Sequence, residues 1–136
     1  MNNIIEIVEA EKNLDILARG VKAAGLESEL KKNGPYTIFA PTDMAFGKLT
    51  SSTVTELLRP ENKLKLADIL KNHVVEGETH LKDLKDGQKL KTLGGKELFV
   101  QVKDGKIMIS GVTVSGQDIP ASNGSVLFMN SLFNLS

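Results

Sequence analysis

The chain has no cysteine and no tryptophan, and only one tyrosine and five phenylalanines among its 136 residues. Without cysteine there is no disulfide, no thiolate metal site and no cysteine nucleophile. Net charge is lacking too: 17 Lys and Arg balance 17 Asp and Glu. A neutral chain with no charge run has no electrostatic reason to bind nucleic acid or an anionic membrane, so no nucleic acid partner is expected. No apolar run reaches the roughly 18 residues of a membrane span, so no transmembrane segment is expected in this chain. The first residues, MNNIIEIVEA, place Glu6 and Glu9 where a secretory leader would be apolar. That fits either a cytoplasmic protein or a mature or trimmed chain.

What the chain has is an ordinary apolar share, 40%, over one domain's length, so residues 1–136 are expected to form a single domain with its own core. The first half has helical periodicity. Asn3 precedes Ile4, Ile5, Ile7 and Val8 as a helix cap. Leu14, Leu17, Ala18 and Val21 share one face of a helix expected to open at Asn13. Thr53-Val54-Thr55-Glu56 has capping-box spacing, and Leu66, Ile69, Leu70 and His73 recur at helical spacing. From Val74 the period becomes two. Leu98, Val100 and Val102 alternate with Glu97, Phe99, Gln101 and Lys103 up to Asp104-Gly105, a strong hairpin signal. Val126 to Met129 is apolar at both parities, as in a strand buried on both faces. Helices first and a mostly antiparallel sheet second make an α+β domain.

The stretch YTIFAPTDMAFGKL, Tyr36 to Leu49, changes from strand to helix within two residues. Pro41 cannot donate to a ladder, Thr42 suits an N-cap, and Asp43 suits the positive end of the helix that follows. Chemistry is sparsely signalled. There is no G-x-S-x-G, and the histidines are His73 and His80. Glu76, Glu78 and His80 would share a face of an extended segment and could together hold a divalent ion, the basis of a metal- or ligand-dependent enzyme reading. His73, on an apolar helix face, needs a polar partner if buried: a backbone carbonyl, or the Asp43 corner.

These pieces resemble the fasciclin (FAS1) domain family over almost the whole chain. YTIFAPTDMAFGKL is similar to the family's first signature, and LLRPENKLKLADIL to the helices after it. NHVVEG stands where the family has a Tyr-His pair before Val-Val-Pro-Gly, with Asn72 for the tyrosine and Glu76 for the proline. DIPASNGSVLFMNSLF matches the second signature, with Leu127 and Asn130 at its His and Asp positions. The resemblance implies an antiparallel β-wedge or sandwich with helices packed along it, and Thr42, Asp43, His73, Asn123 and Gly124 as structural signature residues. It implies no cofactor and no catalysis. It implies a secreted, periplasmic or cell-surface adhesion module binding a protein or a carbohydrate-bearing surface, with weak self-association; a structural envelope domain is the other non-catalytic reading. His73, Asp118 and Ile119 are the partner-binding residues it implies. An apolar docking patch is expected at Leu127 to Phe133 if Phe128 or Phe133 points outward.

Overall fold

The computed structural model describes residues 2–32, 34–77, 79–129 and 131–132, with only the backbone at 115–117. Its helices are α1 (Ile4–Ala10), α2 (Asp15–Ala24), α3 (Glu27–Leu30), α4 (Asp43–Phe46), α5 (Ser51–Leu57) and α6 (Lys63–Lys71). Its strands are β1 (Tyr36–Pro41), β2 (Val74–Glu76), β3 (Lys89–Lys91), β4 (Glu97–Lys103), β5 (Lys106–Ile109), β6 (Val112–Ala121) and β7 (Gly124–Met129). The α+β class therefore holds.

Local chemistry accounts for most boundaries. The Asn3 side chain accepts from the Glu6 amide while Glu6 returns a bond to the Asn3 amide, each at 2.9 Å, a reciprocal cap for α1. α2 opens two residues later than Asn13 suggests, because a 3₁₀ turn at Lys12–Leu14 comes first. α5 is capped by Thr50, whose hydroxyl accepts from Thr53; Thr53 sits inside that helix and is not its cap. The β4–β5 hairpin turns through Asp104 and Gly105, both at positive φ, the type I′ geometry that follows strand twist.

The sheet order is β2-β1-β7-β6-β5-β4-β3. Neighbours run antiparallel except β1 and β7, which pair in parallel from Tyr36↔Gly124 to Pro41↔Met129. The outermost strands then approach each other. Val75 bridges Thr92, and the Leu93 amide donates to the Val74 carbonyl at 2.9 Å. The sheet thus nearly closes on itself.

This curvature creates two apolar clusters, one on each side of the central strands. Ile38 and Ala40 of β1 and Val126 and Phe128 of β7 pack toward helices α1, α2 and α6. Phe39, Leu127 and Met129 face the other way, into the closed side of the sheet with Leu90, Leu98, Val100 and Ile109. Period-two geometry explains the split, since successive side chains point to opposite faces.

The seam between β2 and β3 is held by a buried polar contact. The Thr92 hydroxyl donates to Asn72 Oδ1 at 2.7 Å, and Asn72 Nδ2 donates to the Asp68 carbonyl at 2.9 Å. Gly94 lies flat against that amide, where an added Cβ would collide with Asn72. Gly94→Ala is therefore expected to cost about 2 kcal/mol, the range for overpacking a buried site. Urea unfolding would show it as a lower midpoint at unchanged slope.

Candidate functional site

Thr42 and Asp43 sit where β1 turns into α4. The Thr42 amide and hydroxyl both donate to the Met129 carbonyl, at 3.1 and 3.3 Å, and the hydroxyl accepts from the Ala45 amide at 3.3 Å. One threonine thus caps α4 and fixes the end of β7. Asp43 reaches elsewhere. Its Oδ1 accepts from the Ile16 amide of α2 at 2.9 Å, so the carboxylate serves an orphan amide 27 positions earlier. α2 itself has no side-chain cap from its own preceding residue.

Asn123 performs the same service at the β6–β7 turn. Its Oδ1 accepts from the Ile4 amide at 2.9 Å, and its Nδ2 donates to the carbonyls of Leu30 and Lys32, each at 2.8 Å. The side chain is buried and its donors and acceptor are matched. Gly124 follows at φ 150, with its α-carbon against the Tyr36 carbonyl where a side chain has no room.

His73 lies just past α6 and is fully buried. Nδ1 donates to the Ile69 carbonyl at 2.9 Å. Of the two partners open to it, the backbone carbonyl is therefore one it uses, and Asp43 is engaged with α2. Burial lowers the His73 pKa to about 4, against a smaller upward pull from the Ile69 bond. The ring has no exposed surface and lies inside the core.

Asp118 and Ile119 lie in β6, both half-buried. The Asp118 carboxylate accepts from the Leu81 amide at 3.0 Å and faces His80 Nδ1 at 3.2 Å from each oxygen. It anchors the turn at Leu81–Asp83 to the sheet. Beside it is a shallow depression of about 370 Å³ lined by His80, Leu81, Lys82, Asp118 and Pro120.

Of Glu76, Glu78 and His80, the described Glu76 and His80 do not lie on one regular strand. β2 ends at Glu76, Gly77 takes φ 96, and His80 turns its Nδ1 to Asp118. Glu78 lies outside the described residues. Among the described residues, no three His, Cys, Asp or Glu side chains are grouped to hold a metal.

The expected apolar patch is corrected over its first part, Leu127 to Met129. Leu127, Phe128 and Met129 are all buried, because β7 is the central strand between two clusters. Asn130 and Phe133 lie outside the described residues. Among the described residues, the exposed large apolar side chains are Met44, Leu64 and Phe99. Sequence reading missed the pairing of His80 with Asp118 and of Asn72 with Thr92. The signals available were a buried-side asparagine before a strand and the polar parity break at Asp118.

Among the described residues, no helix is long and apolar enough to cross a membrane. The family profile described as Fasciclin domain matches residues 12–134. Protein sll1483 of Synechocystis sp. is 42% identical over 123 residues, which cover 90% of this chain and 68% of that protein. The transforming growth factor-beta-induced protein ig-h3 of Sus scrofa is 33% identical over 96% of this chain, which spans 19% of that protein's length. A solved FAS1 domain pair from the insect cell adhesion molecule Fasciclin I has a TM-score of 0.86 over 98% of this chain and 51% of that one, at 17% identity, a likeness of fold. A profile matched over nearly the whole length and a relative covered over two thirds of its own place this chain in the Fasciclin domain family.

Proposed function

We propose that residues 1–136 act as one non-catalytic adhesion or surface-interaction unit that binds a protein or a carbohydrate-bearing partner. One observation carries this reading. The polar side chains that the family pattern marks, Thr42, Asp43, His73 and Asn123, each bond backbone groups distant in sequence or at an element's end. Groups engaged in this way build a scaffold; a reacting centre needs them to converge on a pocket. The likeness to a domain pair from a cell adhesion molecule supports the adhesive role. With it goes a secreted, periplasmic or cell-surface location and weak association between copies. A metal-dependent enzyme built on Glu76, Glu78 and His80 is disfavoured by the broken strand at Gly77.

The partner face we assign is the depression at His80, Leu81, Lys82 and Pro120, with Asp118 as the residue that shapes it and Ile119, packed on the helix-side cluster, holding the strand behind it. The test is attachment of suspended cells to surfaces coated with the chain. The double variant Lys82→Glu, Pro120→Ala, both at exposed lining positions, is expected to reduce attachment at least fivefold with a melting temperature within a few degrees of the parent. Equal attachment by the folded variant would remove this face from the proposal.

A further inference from the structure

After β2 the backbone is gripped at alternate residues by side chains from three neighbouring strands. On β1, the Thr37 hydroxyl donates to the Gly77 carbonyl and accepts from the Thr79 amide, each at 2.7 Å. On β7, the Ser125 hydroxyl donates to the Thr79 carbonyl at 2.6 Å. On β6, the Asp118 carboxylate accepts from the Leu81 amide at 3.0 Å. Thr37 stands opposite Ser125, and Asp118 stands opposite Leu127, two residues along β7 from Ser125. All three grips therefore rise from one face of the sheet. Thr37 and Ser125 are fully buried hydroxyls and carry no charge at any working pH. The third grip is different, because an imidazole stands beside it.

His80 Nδ1 lies 3.2 Å from each oxygen of Asp118, and the two side chains are only 23% and 20% exposed. An ionised carboxylate only accepts, so Nδ1 carries a proton and donates. The ring can do this neutral or as the cation, and histidine is the side chain that changes charge between about pH 5 and 8. The cation's bond is charge-assisted and the stronger of the two. A pair this far from water is also less screened than a surface pair. Gaining a proton therefore favours the closed arrangement, and losing it weakens the hold. Among the described residues, the charged groups lining the depression with His80 are Asp118 from β6 and Lys82 from the turn. Lys82 is exposed, so water screens its repulsion of the ring. We infer that His80 and Asp118 form a proton-operated latch. Proton uptake by His80 fastens the Leu81–Asp83 turn to β6 and so fixes the wall of the depression. A wall already fixed loses less freedom on binding, so attachment strengthens in mild acid. That consequence rests on reading the depression as the partner face; the latch itself does not.

Amide hydrogen exchange, corrected for the intrinsic effect of pH, reads the latch with no partner present. Protection of the Leu81 amide is expected to rise at least threefold from pH 8 to pH 6. The Thr79 amide, held by a hydroxyl, is the control and should change less than half as much. Burial of His73 makes the whole fold less stable over the same change, so a gain at Leu81 cannot come from global stability. His80→Gln keeps a side-chain donor that cannot change charge, and Asp118→Asn keeps an acceptor without one. Both should leave Leu81 protection flat with pH, and Thr79 protection as in the parent shows that they fold. Cells should attach to the parent at least twofold better at pH 6.2 than at pH 7.8, and this ratio should vanish in His80→Gln. A flat Leu81 profile in the parent, a response that survives His80→Gln, or an equal gain at Thr79 would overturn the latch. The same attachment ratio in parent and His80→Gln would overturn its control of the face. Undiminished attachment by Lys82→Glu, Pro120→Ala beside a responsive Leu81 amide would instead remove the partner face alone.

Discussion

Replacing Asn123 by alanine is expected to lower the unfolding free energy by about 4 kcal/mol, among the larger effects of a single change. The side chain satisfies the Ile4 amide and the carbonyls of Leu30 and Lys32. Truncation leaves one buried donor and two acceptors short of a partner, and an orphaned buried group costs about 1–3 kcal/mol. The loss joins three segments at once: the start of α1, the end of α3 and the β6–β7 turn. A chain of this size should lose roughly 15 °C in melting temperature. Asn123→Asp sharpens the test. It keeps an acceptor for Ile4 but sets a carboxylate against two carbonyls, so it should rescue little. A melting temperature within 2 °C of wild type (about 0.5 kcal/mol) for either variant would contradict the assignment.

Acid should destabilise this chain through His73. The ring is fully buried and its pKa is lowered to about 4, whereas the unfolded chain titrates near the ordinary 6.5. The unfolded state therefore binds the proton first, and stability rises with pH between those values. The contribution is complete above pH 6.5. It falls by about 1.4 kcal/mol per pH unit as pH drops toward 4, a total of about 3 kcal/mol. Urea unfolding at pH 7, 5.5 and 4 measures the slope. His73→Gln keeps a side-chain donor for the Ile69 carbonyl and has no titration. It should be less stable at pH 7 but show a shallower fall over the same window. Identical slopes for the two chains would mean that His73 is charged or exposed in the folded state.

Several elements were readable because their causes are local. Asn3 with Glu6, the Asp104-Gly105 hairpin and the alternation of β4 each act within a few residues. The burial of Val126 to Met129 on both faces was visible in their composition. The parallel register of β1 with β7 was not, since nothing near Tyr36 marks a partner 88 positions away. Thr42 was readable as a cap for its own helix, but Asp43 was not readable as the cap of α2. Its acceptor role was legible and its donor was not. Period-two reasoning carried Glu76, Glu78 and His80 onto one face and failed at Gly77, whose positive φ ends the strand. It also allowed Phe128 to point outward, which the packing of helices against β7 prevents.

The account rests on signature side chains that hold distant backbone amides. Site-resolved hydrogen exchange at the Ile4 and Ile16 amides tests this most directly, because their acceptors are Asn123 and Asp43. Both amides should exchange slowly in the native chain. Asn123→Ala should release Ile4 and Asp43→Ala should release Ile16, each by at least tenfold beyond the change in global stability. Rapid exchange of either amide in the native chain, or no selective release in the matching variant, would contradict it.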